Sequence, residues 1–374
     1  MQIPWVIEEQ TKVKHALLDK YVSPWMAIFF RTQQQYNFGQ VVVYIDAFAG
    51  PGIYYTDSLM CDTCHGSPLI VANKANEYIC QNPNRAVHIL CGDTEKQCVD
   101  MLQRKLDEAN TTGQSWQVYH GDFQKTILKI MAYIRQSKLG EYPLFFFIDP
   151  FGYSGYPISI LKQLLEFPRA ELFINFMVYD IVRFIDESPF QQRLIEQFGD
   201  ESYRQALQAS NPEEKQAFII NTYCNNLKKF AGATFVMPFR INTPGLGTRP
   251  RFYMIHASKN YKALKVMKDS MASVSEVPYR FEAIGVTSPQ LSLFEDPHKL
   301  DLVERINSYC KDCYPLSTDY DNIEEWAYAN TNGISKTIKA ALKELEGKTL
   351  QIKRLPRQRE NTVNSGAQIK YIGN

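Results

Sequence analysis

At 374 residues, 45% of them apolar and 13% aromatic, the chain has material for one large core plus a smaller second unit, and its composition is far from that of a disordered protein. Its 41 basic and 40 acidic residues leave a formal charge of +1, which excludes a uniformly basic nucleic-acid binder but not a local basic patch. No stretch reaches the roughly 18 continuous apolar residues of a membrane-spanning helix, and Met1-Gln2-Ile3-Pro4-Trp5 shows no basic segment leading into an apolar run. No membrane contact is therefore expected, and the expected location is the cytoplasm.

Residues 5–36 read as a helix that Pro24 can kink, because Lys14, His15, Leu17, Leu18, Tyr21, Val22, Trp25, Ile28 and Phe29 recur at three- and four-residue spacing. Lys12 and His15, three apart, share a helix face. Val41 to Asp46 is an apolar run ending in a carboxylate, followed by Ala47-Phe48-Ala49-Gly50-Pro51-Gly52. This suits a buried parallel strand entering a glycine turn. Gly50 and Gly52 permit close backbone approach and dihedrals closed to other residues. The turn lacks the Gly-Lys-Ser/Thr of a phosphate loop. A carboxylate there suits a cationic or hydroxyl-bearing ligand. S-adenosylmethionine has both features. A nicotinamide or flavin nucleotide, or a turn without ligand, are the alternatives.

Residues 54–66 read as a loop, and Ser67-Pro68 as the start of a helix through Tyr78. Ala86–Cys91 reads as the second strand, ending near Asp93 and Glu95. An acid at that position commonly holds ribose hydroxyls, and Asp93 is the better placed. After the strand Trp116–His120, Asp122 either accepts from an adenine amine, with Phe123 against the ring, or caps the next helix. Leu144–Ile148 is an apolar strand ending in Asp149-Pro150-Phe151-Gly152. The Asp149 side chain and the Pro150 carbonyl can accept hydrogen bonds from an amine, and Phe151 can stack on a flat ring. The plain alternative is an Asp-Pro turn after a core strand. Asn175 is polar within the apolar strand 171–176. Residues 186–230 read as a helical insert that covers the crevice, and two adjacent strands follow at 234–240 and 251–257. Strands alternating with helices over 40–270 predict a doubly wound α/β sheet, with ligands at the carboxyl ends of its strands.

Residues 291–328 carry 9 acidic and 3 basic side chains, whereas residues 331–374 carry 9 basic and 3 acidic. The last stretch reads as a helix, a strand, a basic loop and a strand, the order of a winged helix. Lys336, Lys339, Arg354, Arg357 and Arg359 are its candidate nucleic-acid contacts, and DNA or RNA the candidate partner. A peripheral domain with a solvated charged face is the alternative. Expected domains are an N-terminal helical segment (1–40), the α/β domain (41–282) and a small winged-helix-like domain (283–374).

Eight cysteines include two Cys-x-x-Cys pairs, Cys61/Cys64 and Cys310/Cys313. Together they could build a four-cysteine zinc site, but 245 residues separate the pairs and nothing in the sequence joins them. Unrelated loop cysteines are expected instead, and no metal.

Taken in order, Thr11-Lys12-Val13-Lys14-His15 with Leu18 and Tyr21, Tyr44 to Gly52, Gly66-Ser67-Pro68-Leu69, Gly121-Asp122, Phe147 to Gly152, Asn175-Phe176 and Tyr253 to Lys259 resemble the three-Cys-motif partner family. The resemblance implies a Rossmann-like methyltransferase fold, S-adenosylmethionine as cofactor, and a partner protein encoded nearby. It leaves the substrate undefined. Asp149-Pro150-Phe151-Gly152 is similar to the amine-binding motif of some transfer-RNA guanine-N2 methyltransferases. The expected activity is therefore methyl transfer to an exocyclic amine of a nucleic-acid base. A non-catalytic adapter of the same fold and a methyltransferase for a small molecule or protein are the rivals. Expected cofactor contacts are Asp46, Phe48, Gly50, Gly52, Asp93, Asp122 and Phe123, and expected catalytic contacts are Asp149, Pro150 and Phe151.

Overall fold

The computed structural model describes residues 3–36, 39–109, 113–150, 152, 155–242, 250–275, 282–283, 297–356, 358–359 and 361–373. Phe151 and Arg357 lie outside the described residues. Two compact units emerge: Met1–Val266 with Ala283–Val286, and Met267–Glu282 with Thr287–Asn374.

The first unit is a mixed α/β fold around a mostly parallel sheet. It opens with helix α1 (Glu9–Gln35), which runs continuously through Pro24. Strand β1 (Gln40–Asp46) follows, then a hairpin of β2 (Ile53–Tyr55) and β3 (Thr63–His65), where the sequence predicts only loop. Three-residue strands with partly exposed side chains give no run of alternation to detect. Next come α2 (Ser67–Gln81), β4 (Arg85–Asp93), α3 (Lys96–Glu108), β5 (Gln114–His120), α4 (Phe123–Gln136) and β6 (Leu144–Ile148). Then follow α5 (Ile158–Leu165), β7 (Ala170–Phe176), α6 (Val178–Phe184), α7 (Gln191–Phe198), α8 (Pro212–Lys229), β8 (Phe235–Asn242), β9 (Pro250–Ser258), α9 (Tyr261–Val274) and β10 (Glu282–Ala283).

The strand order is β10-β8-β9-β7-β6-β1-β4-β5. Strands β5, β4, β1, β6 and β7 are mutually parallel. Strand β9 runs antiparallel between β7 and β8. Every residue of β6 and β7 is buried, as expected of parallel strands covered on both faces. Strand order reverses between β1 and β6, which makes their carboxyl ends the topological switch point.

Helix α1 lies across this sheet. Its buried stripe holds Lys14, Leu18, Tyr21 and Trp25. Tyr21 donates to Glu171 Oε2, and Trp25 Nε1 donates to Glu171 Oε1 at 3.1 Å. Glu171 starts β7, whereas Lys14, two turns earlier in α1, reaches the opposite, carboxyl end of the sheet. The helix thus runs against the strand direction and bridges both edges. In the segment read as an insert, Tyr223 of α8 stacks on Phe176 of β7 at 4.3 Å between ring centroids, so its apolar face belongs to the core.

The second unit contains α10 (Pro297–Asp312), β11 (Thr318–Asp319), α11 (Tyr320–Asn330), α12 (Ser335–Leu345), β12 (Leu350–Lys353) and β13 (Gln368–Tyr371). Its strands form an antiparallel sheet in the order β11-β13-β12. Its core includes Leu302, Ile306, Ile323, Ile338, Leu342, Leu350 and Ile369. Lys268 is fully buried and donates to the carbonyls of Tyr328 and Thr331 at the end of α11, at 2.9 and 2.7 Å.

Candidate functional site

The parallel sheet brings three carboxylates to its carboxyl edge. Asp46 ends β1, Asp93 ends β4 and Asp149 follows β6. Asn175 lies beside Asp149, because Ile148 pairs with Ile174 in the β6–β7 ladder.

Asp46 is completely buried and accepts from Ser67 Oγ at 2.6 Å, Tyr44 Oη at 3.1 Å and the Phe48 amide at 3.1 Å. Burial pushes its carboxyl up to about 7, against the pull of the Ser67 and Phe48 hydrogen bonds. The sequence reading gives Asp46 a ligand and Ser67 a helix cap. Both are corrected: Gly66 holds the cap position, and Ser67 and Asp46 bond each other. Asp46 therefore fixes the turn from within.

Asp93 performs a related task one strand over. Its Oδ2 accepts from the Gly50 amide and its Oδ1 from the Glu95 amide, both at 2.9 Å. Burial raises its pKa, and those amides partly offset the rise. A carboxylate offers about four lone-pair positions, so Asp93 keeps acceptor capacity for a hydroxyl. Gly50 has φ +59° and Gly52 φ +77°. A Cβ at Gly52 would lie 2.7 Å from Leu102 Cδ1, so its close approach serves packing against α3. A Cβ at Gly50 would have no neighbour nearer than Tyr54 Oη at 3.5 Å, so there the dihedral alone requires glycine.

Asp122 caps α4 by accepting from the Lys125 amide at 2.9 Å, and Lys125 Nζ lies 2.9 Å from its Oδ2. Those bonds lower the pKa of this exposed carboxyl. The capping alternative accounts for Asp122. Phe123 is buried and stacks on Phe48 with centroids 4.9 Å apart and planes 6° from parallel. One face of Phe123 is thus already covered by a side chain of this protein.

The closest cluster forms around Asp149. Lys14 Nζ donates to its Oδ1 at 2.8 Å and its Oδ2 at 2.6 Å. Asn175 Nδ2 donates to its Oδ1 at 2.7 Å. Lys14 Nζ also lies 5.5 Å from the Phe252 ring centroid. The pair is only partly enclosed, with side chains 11% and 16% exposed. Pro150 is buried beside it. His15 packs on Tyr54, and burial holds its imidazole down at about 4, with the Lys14 charge adding to the effect. Lys12 is exposed and paired with Glu9 at 2.6 Å, so it and His15 do not share an environment. Tyr54 lies among Asp149, Asp46 and Asp93, and burial and these charges raise its pKa. The segment before α1 closes this corner: the Ile7 amide donates to the Tyr55 carbonyl and the Tyr55 amide to the Trp5 carbonyl, both at 2.9 Å.

Lys14, Asn175 and Tyr54 are the site residues that sequence reasoning missed. Two signals were present. Lys14 is a cation on the apolar stripe of a helix, and Asn175 an amide inside an apolar strand.

At the opposite, amino edge of the sheet, a cavity of about 300 Å³ is lined by residues including Tyr21, Trp25, Gln33, Arg169, Glu171 and Lys262. None of the expected site residues faces it.

In the second unit, Lys336 and Arg359 are exposed. Lys339 donates to Asn364 Oδ1 at 2.9 Å and lies 5.4 Å from the Tyr320 ring centroid. Arg354 grips both carboxylate oxygens of Glu346 at 2.6 and 2.7 Å and donates to the Thr362 carbonyl at 2.8 Å. Arg354 and Lys339 therefore hold the loop in shape, and Lys336 and Arg359 present charge to solvent. Cys61 is exposed, while Cys310 is buried in the core, which pushes its thiol up to about 12. Among the described residues no group of three or more His, Cys, Asp or Glu is placed to hold a metal, so Cys61, Cys64, Cys310 and Cys313 are not brought into one site. No helix among the described residues is long and apolar enough to cross a membrane.

No family model and no curated protein matches this chain. Among solved structures, the methyltransferase CalO6 is similar at 10% identity and a TM-score of 0.25. That match covers 63% of this chain and 66%, just under two thirds, of CalO6, and is too slight to carry an argument. The resemblance to the three-Cys-motif partner family therefore rests on its motifs.

Proposed function

We propose that this chain is an S-adenosylmethionine-dependent methyltransferase acting on an exocyclic amine of a nucleic-acid base. One observation carries the reading: Asp93, Asp46 and Asp149 stand at the ends of three adjacent parallel strands, beside a positive-φ glycine turn at the switch point. The antiparallel β9 beside β7 sets the sheet apart from the all-parallel dinucleotide sheet, which weighs against a nicotinamide cofactor.

The residues present fit an adenosine cofactor. Asp93 retains acceptor capacity for ribose hydroxyls, the Gly50 turn leaves backbone exposed to a close ligand, and Phe48 offers a partly buried flat ring. When bound, the cofactor supplies an electrophilic methyl group on a sulfonium. Asp149 and the Pro150 carbonyl orient the acceptor amine in the plane of its base. Its lone pair then points out of that plane, toward the turn. Positioning of this kind can contribute ~7–11 kcal/mol to the rate. In a duplex the target base would have to leave the stack, at a cost of a few kcal/mol.

The order helix, short strand, helix, helix, strand, loop, strand in the second unit supports the winged-helix reading, with α12 and the 354–367 loop as the nucleic-acid surface. It also supports a functional division near residue 283.

The non-catalytic adapter reading draws on one observation: Lys14 and Asn175 already occupy three acceptor positions of Asp149. Calorimetric titration with S-adenosylmethionine, followed by labelled-methyl transfer onto DNA, RNA and protein, separates the readings. Binding and label in nucleic acid are expected. Binding without label in any fraction would favour the adapter, as would a lack of binding. Label in protein or metabolites alone would move the acceptor to that class.

A further inference from the structure

We propose that Lys14 and Asp149 form a paired donor and acceptor that reads an amidine edge: an exocyclic amine whose neighbouring ring nitrogen, on the open side of the base, carries no proton. This rests on the proposed amine-methylating function. It selects adenine or cytosine as the substrate class and excludes guanine.

The hydrogen-bond inventory of the pair carries it. An ammonium has three hydrogens. Two of the Lys14 hydrogens meet Asp149 Oδ1 and Oδ2, leaving one to give. Of about four lone-pair positions on Asp149, Lys14 and Asn175 take both on Oδ1, and Lys14 takes one on Oδ2. One position therefore remains, on the oxygen nearest the ammonium. The pair presents one donor and one acceptor side by side, with Nζ and Oδ2 2.6 Å apart.

An exocyclic amine and its neighbouring ring nitrogen sit one carbon apart and present a donor and an acceptor on nearly parallel axes. Adenine offers N6–H beside N1, and cytosine N4–H beside N3. Guanine offers N2–H beside N1–H, which sets donor against donor at Lys14, and its N3 lies on the sugar side. A site built to bond a particular polar atom rejects the analogue lacking it, because its own buried group is left unpaired. Lys14 and Asp149 are only partly enclosed, which leaves the pair a face toward the crevice. The Phe252 ring beneath Lys14 and the Asn175 amide on Oδ1 fix both members in place.

The test uses single-stranded oligonucleotides carrying one target base: adenine, 1-deazaadenine, cytosine, 3-deazacytosine or guanine. Binding is read by fluorescence anisotropy without cofactor, and transfer by labelled methyl. Removing the ring nitrogen is expected to weaken binding and transfer by about tenfold to hundredfold. Lys14→Met should lose a similar factor on the natural base and nothing further on the deaza base. Lys14→Arg should keep most of the discrimination. Equal behaviour of natural and deaza bases in the unmodified protein overturns the proposal even if Lys14→Met fails to fold. Losses that multiply between Lys14→Met and the deaza base also overturn it, since that marks a purely structural lysine. Transfer to guanine alone overturns it while leaving the amine-methyltransferase reading intact. No base preference and no transfer to any nucleic acid overturn both.

Discussion

Lys14 and Asp149, 135 residues apart in sequence, meet through two hydrogen bonds of 2.8 and 2.6 Å at the carboxyl edge of the sheet. The contact joins α1, which precedes the first strand, to the turn after β6. It makes the leading helix part of the site. Because the same helix holds Glu171 at the other edge through Tyr21 and Trp25, its position along the sheet is fixed at both ends. Glu171 is also bonded to His256 at 3.1 Å, which carries the restraint into β9.

The Lys14–Asp149 pair should show thermodynamic coupling. Asp149→Asn leaves a mostly buried ammonium facing an amide, and Lys14→Met leaves a carboxylate without its cation. Each single variant is expected to lose more stability than the double variant implies by addition. A coupling energy of roughly 1–3 kcal/mol is expected from urea denaturation of the four proteins. Additive losses within about 0.5 kcal/mol would mean the contact contributes nothing to the fold.

Asp46 and His15 should make stability depend on pH in opposite directions. Asp46 has its folded pKa raised to about 7, so its favourable contribution is full below the unfolded value near 3.8 and is lost as pH rises through 7. His15 has its folded pKa lowered to about 4, so its contribution is full above the unfolded value of 6.5 and is lost as pH falls toward 4. Relative to the unmodified chain, Asp46→Asn should gain stability as pH rises from 4 to 7, by on the order of 3–4 kcal/mol. His15→Gln should lose relative stability over pH 4 to 6.5. Urea midpoints measured across that range check both signs, and a flat difference for either variant removes that residue from the account.

The sheet was legible because its strands are apolar runs, and because the carboxylates Asp46, Asp93 and Asp149 close them where a ligand edge would be. Helices α1, α4 and α12 were legible from their periodicity. Two kinds of feature were not. The β2–β3 hairpin is too short for alternation to register. The partners of each carboxylate depend on tertiary placement: nothing local tells that Ser67 turns onto Asp46, that Asp93 holds the Gly50 amide, or that Lys14 crosses to Asp149. The basic loop shows the same boundary from the other side. Arg354 and Arg359 look alike in sequence, yet one is clamped by Glu346 and the other is exposed.

Lys268 should behave as an internal support of the second unit. It is buried and bonded to the Tyr328 and Thr331 carbonyls, and burial lowers its pKa to about 7. A folded pKa below the unfolded value near 10.5 means the unfolded chain binds more protons between pH 7 and 10.5, so stability should rise with pH over that window. Lys268→Met leaves two carbonyls without this donor, at a cost of about 1–3 kcal/mol near neutral pH, and abolishes the rise. Thermal melts at pH 7 and 9 would show it. A variant with the same pH response as the parent would exclude Lys268 as the titrating group.

Nucleic-acid binding by the second unit should depend on exposure rather than on charge count. Lys336 and Arg359 face solvent, whereas Arg354 spends its guanidinium on Glu346 and Thr362. Each neutralised phosphate contributes roughly 0.9 to the log–log salt slope on duplex DNA and roughly 0.7 on a single strand. Replacing Lys336 and Arg359 together by alanine should therefore flatten the slope by about 1.5–2 and leave the melting temperature nearly unchanged. Replacing Arg354 should do the reverse: it frees the Glu346 carboxylate, whose pKa the guanidinium now holds down, and loosens the 354–362 turn while the slope changes little. Filter binding between 50 and 200 mM salt, run beside thermal melts, gives both readouts. A slope that falls with Arg354→Ala and not with the exposed pair would place the phosphate contacts elsewhere on the unit. A salt-insensitive complex, or none at all, would remove nucleic acid as the partner.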